Sequence, residues 1–529
     1  MEANAAMKPE RVIRPLGRLE SYHSMLHNLG YLYGVVVSCQ YAIPNKFAHD
    51  SGLSQLKETF EMAVAQTVLD HPMLRVGLVG EGSKQPAWVE LQRVDLGWHM
   101  QWRDGKSHLL QDIIPSQLDA RFGDLETRPG WRLVALHNLP SRQLDVVFAF
   151  NHANFDGISG KIFHESLLRN LNVTKTGDKL EALNHSTHIL SLPAVDQTTF
   201  PAPQEHTAPY TVSPHYLLSN AWQELRPSLP LLVPKPTTQA TWAPIRTHPF
   251  ATRVQTFSIS ATDGTLPRLL AACRAHHTTL TGLLNAIILV SLATELDTNS
   301  APAFTGGTAL NMRRFSSASP SPFPSPSSTP SPSSPKFDPN KTITNSVSDI
   351  KHPFNASETA NLRRLLQKRS PGAPHWGDAT LRDTIWSIAA RVRAEIQAKL
   401  DAGTRDDSIG LMRFVGDWRR TVIGQTRKGR SVAWNLSNVG VLGGDILDGG
   451  GGGLSGGGGE DLDGVWECER AEFVLGGEVT GAAFNVGVIS VRGKGLDVAV
   501  SWQDCAVDEV LGGRVVGHME GLMKELSQL

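Results

Sequence analysis

Apolar residues in this chain alternate between helical and strand spacing over most of its length, and this alternation constrains the fold more than any other feature. Spacing of three or four residues indicates helices, whereas short β-branched and aromatic runs indicate strands. The pattern predicts helices over residues 53–69, 158–171, 283–296 and 507–526, strands over 73–78, 144–150 and 254–259, and a β-hairpin formed by 481–491 and 496–502. Such alternation is typical of a mixed α/β protein.

The chain has 529 residues, which is too long for one ordinary hydrophobic core, so two domains are expected. A proline-rich stretch at residues 225–244 is predicted to connect them. We place the boundary near residue 235, which gives domains of residues 1–234 and 235–529.

Two low-complexity segments lie in the second domain. Residues 316–335 are almost wholly serine and proline, and residues 449–459 hold nine glycines in eleven positions. Neither buries enough apolar surface to offset the entropy of ordering. We therefore expect a disordered insertion and a flexible surface loop, both without a role in the chemistry.

The charge and cysteine content of the chain indicate which kinds of partner it can bind. The chain carries 50 Lys and Arg against 51 Asp and Glu, a formal net charge of -1, so no overall field attracts nucleic acid or an anionic membrane. A polyanionic ligand would need a local basic patch. Four scattered cysteines without CxxC spacing argue against a zinc site, other metal binding and a disulfide framework.

The N-terminus lacks the pattern of a signal peptide, and the longest apolar runs are too short to span a membrane. We expect an intracellular, cytoplasmic protein that is soluble or peripheral to the endoplasmic reticulum or lipid droplets.

His152 follows the strand predicted at residues 144–150 and lies where the chain turns. A neutral imidazole with a pKa near neutrality can take a proton from a hydroxyl or amine as that group attacks an acyl carbonyl. Asp156 lies four residues further on, and Gly157 behind it permits a tight turn. These residues predict a loop that carries a general base. Without further context they are more typical of a His–Asp pair with only a local structural role.

The frame from His152 to Gly157 resembles the HxxxDG signature of the acyl-CoA-dependent acyltransferase superfamily, and the fungal alcohol acetyltransferases are its most similar group. Other segments similar to that family follow in the same order along nearly the whole chain: RPLGRLE at 14–20, PGWRL at 129–133, TLTGLL at 279–284, SNVG at 437–440, GAAF at 481–484 and VSW at 500–502. The resemblance implies a fold like that of chloramphenicol acetyltransferase, with two lobes of mixed sheets flanked by helices and an active-site tunnel at their interface.

The resemblance also implies roles for individual residues. His152 would be the general base, and the acceptor would attack the acyl thioester directly, which agrees with the lack of a GxSxG nucleophile elbow. Asp156 would turn away from substrate and pair with the arginine of the motif Asn311-Met312-Arg313. Arg314 is the alternative partner in a shifted register.

A hydrogen-bond donor is needed for the oxyanion of the tetrahedral intermediate. Ser437, Asn438 and Gly440, which follow a strand-like run, are candidates for this contact or for contact with substrate. An ordinary turn from strand to loop is the alternative explanation. The remaining histidines, including His23, His27, His276 and His277, have no fitting neighbours and are predicted to be solvated or packed.

The expected activity is transfer of an acetyl or other short acyl group from coenzyme A to a small alcohol by a monomer, with acyl-CoA as co-substrate and no bound cofactor. N-acylation of an amine, condensation on a secondary metabolite and an inactive binding module are the alternatives. Asn151 stands where peptide-synthetase condensation domains carry another histidine, and this difference favours a free thioester donor.

Overall fold

The computed structural model describes residues 11–47, 52–105, 107–175, 177–197, 200–225, 240–316, 338–367, 378–443 and 464–528. Within these residues the helices are α1 Arg18–Asn28, α2 Gly52–Asp70, α3 Leu96–His99, α4 Leu110–Asp119, α5 Gly157–Val173, α6 Gln204–Thr207, α7 Pro214–Leu225, α8 Thr265–Ala275, α9 Leu280–Glu295, α10 Ala356–Gln367, α11 Ala379–Asp401, α12 Ser408–Leu411, α13 Trp418–Gln425 and α14 Glu509–Leu526.

The strands in the same residues are β1 Val12–Pro15, β2 Val35–Ala42, β3 Val76–Val79, β4 Ala87–Glu90, β5 Arg93–Asp95, β6 Met100–Asp104, β7 Trp131–Asn138, β8 Gln143–Phe150, β9 Leu183–Asn184, β10 Ile189–Ser191, β11 Thr252–Ser260, β12 Phe304–Asn311, β13 Val347–Phe354, β14 Trp434–Leu442, β15 Glu467–Leu475, β16 Phe484–Val491 and β17 Gly495–Gln503.

A five-stranded mixed sheet with the order β15-β2-β8-β7-β6 carries the N-terminal half of the structure. Its pairings are antiparallel except for β6 with β7. The edge strand β15 comes from far along the chain and pairs with β2, so that Val474 lies opposite Val36. The sheet is therefore completed by the C-terminal part of the protein.

A six-stranded mixed sheet with the order β11-β17-β16-β14-β12-β13 carries the C-terminal half. The pairs β12–β14 and β14–β16 are parallel, and the other pairs are antiparallel. Two three-stranded sheets, β1-β4-β3 and β5-β10-β9, complete the strands. With helices packed on these sheets, the mixed α/β fold predicted from the sequence is confirmed.

Two large hydrophobic cores follow from these sheets. The first is formed around the five-stranded sheet, α2 and α5, where the rings of Phe148 and Phe163 stack 3.9 Å apart. It also takes in side chains of β15, including Phe473. The second core surrounds α9, which is buried between the six-stranded sheet and the helices α11 and α14. An apolar surface on nearly every side of α9 is what this position requires.

The predicted helices at 53–69, 158–171, 283–296 and 507–526 are confirmed as α2, α5, α9 and α14, and the strands at 144–150 and 254–259 as β8 and β11. The β-hairpin is confirmed as β16 and β17. The strand expected at 73–78 is wrong in its first half: Pro72 begins a short 3₁₀ turn, Pro72–Arg75, and β3 starts only at Val76. Proline is favoured at the first residue of a helical turn because its fixed φ suits that position.

The proposed boundary near residue 235 falls in residues 226–239, outside the described residues, and the division into two lobes remains our proposal. The two low-complexity segments also lie outside them, apart from Ser316. Among the described helices, none alone is long and apolar enough to cross a membrane; α8 and α9, which meet at 94°, pass the same test only as a bent pair.

Gly487→Ala is expected to destabilise the fold by about 1–3 kcal/mol, because an added methyl group at a backbone contact has no rotamer to escape into. A Cβ at Gly487 in β16 would collide with the carbonyl oxygen of Phe473 in β15. Gly517→Ala is the matched control, since nothing in the structure lies within 4 Å of a Cβ at this position of α14. Alanine there should stabilise the helix by roughly 0.5–1 kcal/mol.

Thermal unfolding of the two variants and the wild type measures both effects. Similar unfolding temperatures for the two glycine variants would contradict the close packing of β15 on β16.

Candidate active site

The loop of residues 151–156, between the end of β8 and the start of α5, carries His152. The backbone N–H of Asn151 donates to the carbonyl of Gly130 at 2.8 Å, and that of Asn154 donates to the carbonyl of Asn151 at 3.0 Å. A Cβ at Gly130 would lie 2.6 Å from the side-chain oxygen of Asn154. Glycine at the start of the PGWRL segment therefore lets the loop lie directly against its neighbour.

The His152 ring is half-buried and has its own partner within the loop. Its Nδ1 lies 3.0 Å from the carbonyl oxygen of Phe155. A carbonyl oxygen can only accept, so in the neutral ring Nδ1 carries the proton and Nε2 carries the lone pair. Burial lowers the pKa of His152 below its ordinary value, although the charge of Asp156 acts in the opposite direction. The arrangement favours a neutral imidazole with a basic Nε2.

The Asp156 carboxylate makes its hydrogen bonds with groups other than the His152 ring. It is the N-cap of α5, where its Oδ1 accepts from the backbone N–H of Ser159 at 2.8 Å, while its Oδ2 accepts from the N–H of Ser346 at 2.8 Å. Arg313 donates to both oxygens, with Nη1 2.7 Å from Oδ2 and Nη2 3.0 Å from Oδ1. Each carboxylate oxygen is thus held by one backbone N–H and one guanidinium N–H.

The Asp156–Arg313 pair is almost wholly buried, with 3 % of Asp156 and 2 % of Arg313 exposed. Burial opposes ionisation of Asp156, but the charge and hydrogen bonds of Arg313 and the N–H groups of Ser346 and Ser159 outweigh it and hold the pKa of this carboxyl below its ordinary value. Such a pair is stable only while both charges and their hydrogen bonds are present. This geometry agrees with the expectation that the pair has an architectural role, which the unfolding experiment below tests.

Arg313 lies in a short 3₁₀ turn, Arg313–Phe315, directly after β12. The side chain of Asn311 accepts from the backbone N–H of Arg313 at 3.1 Å and so shapes this turn. Arg313 also donates through Nη2 to the hydroxyl of Ser159 and the carbonyl of Thr344, each at 2.9 Å. Arg314 is exposed to solvent. The structure places Arg313, and not its neighbour, against Asp156.

Three consecutive residues before β13, Thr344 to Ser346, were missed by the sequence analysis. Thr344 and Ser346 bind the ion pair as described above, and the Thr344 N–H donates to the hydroxyl of Ser159 at 2.9 Å. Asn345 lies between them and donates from Nδ2 to the backbone carbonyl of His152 at 2.6 Å. Nothing in the sequence marks this segment, because its role comes from backbone groups and one amide nearly 200 residues away from the loop.

His23, in the middle of α1, was also missed. It is packed, as expected, but the expectation that it has no fitting neighbour is wrong. Its ring lies face to face with that of His152, with centroids 3.9 Å apart and an interplanar angle of 7°. Its Nδ1 lies 3.0 Å from Nδ2 of Asn345. The two histidines lie 129 positions apart in the chain, so no local pattern in the sequence indicates this contact.

The segment Ser437 to Gly440 lies in β14, beside the start of α5. A Cβ at Gly157 would approach Val439 Cγ1 to 2.8 Å and Phe473 Cζ to 2.5 Å, so Gly157 permits close packing at the first position of α5 instead of forming a turn. Asn438 donates to the Thr281 hydroxyl at 3.2 Å and accepts from the N–H of Gly440 at 2.9 Å.

The strand is irregular at this point. Its register against β16 shifts between Asn438 and Val441, and Gly440 has a φ of +81°, which favours glycine. Ser437 is buried. The contacts of Asn438 explain the turn itself, and an oxyanion role for this segment remains a hypothesis.

In the part of the chain that the structure describes, no group of three or more His, Cys, Asp or Glu side chains could hold a metal ion.

Part of this chain, and the loop that carries His152 with it, is similar to a known family. Residues 112–320, which include His152, Asp156 and Arg313, match the family model for alcohol acetyltransferases. The probable alcohol acetyltransferase FCK4 of Fusarium pseudograminearum is 27% identical over 511 residues, which are 93% of this chain and 91% of that protein.

Two solved structures show the same fold. TRI3 trichothecene 15-O-acetyltransferase from Fusarium sporotrichioides matches with a TM-score of 0.65 at 13% identity, over 97% of this chain and 95% of that one. The condensation domain of the Monacolin K polyketide synthase MokA matches with a TM-score of 0.54 at 9% identity, over 98% of both chains.

Asp156→Asn and Arg313→Met are each expected to destabilise the protein by about 3–5 kcal/mol, because each leaves the other charge buried without its partner. The double variant should lose clearly less than the sum of the two, since no unpaired charge remains. Urea unfolding of the four proteins, where it is reversible, gives the coupling energy. Arg314→Met is the matched control and should leave stability nearly unchanged. Additive losses would contradict an architectural pair.

The same pair should respond to acid. Because the pKa of Asp156 is lower in the folded chain than in the unfolded chain, its ionised form stabilises the fold above the unfolded pKa of about 3.9, and this contribution is lost as the pH falls towards the folded value. The stability difference between wild type and Asp156→Asn should therefore shrink on acidification below about pH 4. A difference that grows there would contradict the sign of the shift.

Proposed function

We propose that this chain is an acyl-CoA-dependent O-acyltransferase of the alcohol acetyltransferase family, and that it forms esters by direct attack of an acceptor hydroxyl on the acyl thioester, with His152 as the general base. The observation that carries the proposal is the hydrogen bond from His152 Nδ1 to the Phe155 carbonyl. It fixes the tautomer in which Nε2 can accept a proton.

In the proposed reaction Nε2 of His152 takes the hydroxyl proton as the acceptor oxygen bonds to the thioester carbonyl carbon. The resulting tetrahedral intermediate carries a negative oxygen and collapses when the carbon–sulfur bond breaks. The leaving thiolate of coenzyme A then takes the proton from the imidazolium. The products are an ester and free coenzyme A, and the base returns to its neutral form.

The oxyanion would be stabilised from the segment Ser437 to Gly440. This segment lies against Gly157 at the start of α5, five residues from His152 in the chain. The second hydrogen of the Asn438 side-chain amide and the Ser437 hydroxyl are the donors that it offers. Asp156, whose oxygens are held by Arg313 and two backbone N–H groups, would position the loop without taking part in proton transfer.

The donor is proposed to be acetyl-CoA, whose phosphates need a local basic surface. Residues 418–430, which we call the basic segment, contain Arg419, Arg420, Arg427 and Lys428, all exposed, and no acidic residue. The segment begins with α13, which packs on α1 through the rings of Trp418 and Tyr22, 5.4 Å apart. Since α1 also carries His23, the basic segment lies next to the helix that contacts the base. We propose that it binds the phosphates of coenzyme A.

His152→Ala is expected to lower kcat by about 10²- to 10⁴-fold, the usual contribution of a positioned general base, with little change in the KM of acetyl-CoA. The measurement is thiol release from acetyl-CoA with a panel of alcohols and amines, together with mass spectrometry of the product. His276→Ala, which removes a histidine stacked on Trp386 far along the chain, is the control.

Turnover of His152→Ala close to that of the wild type would remove His152 from the mechanism. Amide as the sole product would favour N-acylation, and no turnover with any acceptor would favour a binding module.

We expect activity to persist to a lower pH than it would if His152 had the pKa of a free imidazole. Only neutral His152 can act as a base, and burial lowers its pKa, so the acid limb of kcat/KM should lie below about 6.5. A rate profile against pH in the wild type measures this, and an acid limb above that value would contradict a lowered pKa for His152.

The double variant Arg419→Gln with Arg420→Gln is expected to raise the KM of acetyl-CoA about tenfold, as for loss of one charge-assisted hydrogen bond of roughly 1.5 kcal/mol, with kcat unchanged. A truncated acetyl thioester without phosphates should react equally well with variant and wild type. The matched control is Arg93→Gln with Arg274→Gln, two exposed arginines on β5 and α8. Equal KM values for acetyl-CoA in all three proteins would exclude the basic segment.

A further inference from the structure

We propose that His23 is a positioning residue for the reaction: its ring is the flat, uncharged face against which the His152 ring is held while it gains and returns a proton. The proposal rests on the role of His152 as general base. It follows from three features, namely the parallel stack, the hydrogen bond that keeps His23 neutral, and the rigid attachment of the helix that carries it.

The stack limits how the base can move. The two imidazoles are parallel within 7° and their centroids are 3.9 Å apart, the separation of rings in direct contact. The bond from His152 Nδ1 to Phe155 fixes one edge of the ring, but the ring could still tilt about that bond. His23 covers one face and removes this freedom. Nε2 therefore points in one direction, as proton transfer to a bound hydroxyl requires.

Asn345 determines the protonation of His23. Its Nδ2 lies 2.6 Å from the His152 carbonyl oxygen, which can only accept, so this atom must be the amide nitrogen. The same nitrogen lies 3.0 Å from Nδ1 of His23 and can only donate there. Nδ1 of His23 is thus an acceptor, and its proton resides on Nε2. A protonated His23 would lose this hydrogen bond and set two donors against each other.

The surroundings of His23 act in the same direction. Only 8 % of the residue is exposed, and burial, followed by the charge of His152, holds its pKa well below the ordinary value. On its own helix the nearest titratable neighbour is Tyr22, whose ring lies 5.3 Å away and whose hydroxyl donates to Glu478 at 3.0 Å. Across the contact the facing groups are His152 and the neutral amide of Asn345. None of these neighbours places a positive charge against the face of the His152 ring.

A neutral face suits the charge that develops on His152. When Nε2 takes the acceptor proton, His152 becomes an imidazolium, and a cation is attracted to the face of a neutral aromatic ring in contact with it. A charged neighbour would instead repel it. His23 can therefore hold the ring in place without opposing the transition state.

The helix that carries His23 is itself fixed. Glu20 in the first turn of α1 accepts from the N–H of Gly17 at 2.6 Å and binds both terminal nitrogens of Arg14, at 2.7 and 2.8 Å. Glu20 is buried, and the indole N–H of Trp88 also donates to it at 3.3 Å. These contacts of Glu20 with the RPLGRLE segment and with Trp88 hold the start of α1, and His23 follows one turn further on.

Two variants separate the ring from its hydrogen bond. His23→Phe keeps a flat aromatic face but loses the acceptor for Asn345, whereas His23→Asn keeps an acceptor near the Nδ1 position but removes the face. We expect His23→Phe to stay within about threefold of wild-type kcat, and His23→Asn to lose about 10- to 100-fold with a nearly unchanged KM for acetyl-CoA. His276→Ala, which removes another stacked histidine, is the control for a ring contact outside the site.

The pH dependence gives a readout that a merely structural role would not move. Removing the ring in His23→Asn admits water beside His152, so the acid limb of kcat/KM should move up towards about 6.5, while His23→Phe should keep the wild-type limb. Titration of the His152 ring protons by NMR, assigned with His152→Ala, follows the same pKa without turnover. Thermal unfolding shows whether each variant is folded.

Folded His23→Asn with wild-type kcat and an unmoved His152 pKa would overturn the proposal. An equally large loss of kcat in His23→Phe and His23→Asn would also overturn it. If His23→Asn does not fold, His23→Phe decides the question, because a loss of kcat well beyond threefold in that variant would contradict the role of the ring face. Failure of the base assignment is recognised separately: His152→Ala would then remain active, whereas the NMR titration would still report whether His23 controls the His152 ring.

Discussion

The buried ion pair of Asp156 and Arg313 is the interaction on which the rest of the site depends. Each charge is stable in this position only because the other is there, and both are further bound by backbone N–H or carbonyl groups. Through this pair the start of α5, the turn after β12 and the residues before β13 meet at one point. His152 is uncharged at rest and could not organise these elements itself. Charge therefore fixes the loop, and in the proposed mechanism the neutral imidazole is left free for proton transfer.

The residues Thr344 to Ser346 connect this architecture to the base. Ser346 holds Asp156 and Thr344 holds Arg313, while Asn345 between them reaches the backbone of His152 and the ring of His23. Thr344 and Ser346 bind the ion pair through backbone groups, whereas Asn345 uses its side chain, so three consecutive residues serve two sets of partners. Asn345 thus joins the residues that hold the ion pair to the loop that carries His152.

Many of the helices and strands, and the loop that carries His152, could be predicted from the sequence. The helices α2, α5, α9 and α14 follow from apolar spacing, and the loop with His152 and Asp156 follows from a buried strand that ends in polar residues. The pairing of Asp156 with Arg313 was expected from family resemblance rather than from spacing. The contacts of His23 and Asn345 could not be expected at all, because a stacked ring and one side-chain amide leave no local pattern. The strand predicted at residues 73–78 was partly wrong, because Pro72 begins a 3₁₀ turn that takes up the first residues of this apolar run.

Strand β15 has a consequence for the order in which the protein takes shape on the ribosome. Its partner β2 ends at Ala42, but β15 itself ends at Leu475, roughly 430 residues later in synthesis. At about 5–20 residues per second the valine-rich edge of β2 waits for roughly 20–90 s before its neighbour emerges. During that time an unpaired apolar strand edge is available to other chains. The nascent protein is thus exposed to chaperones and to aggregation until β15 has been translated, and the five-stranded sheet cannot be completed before then.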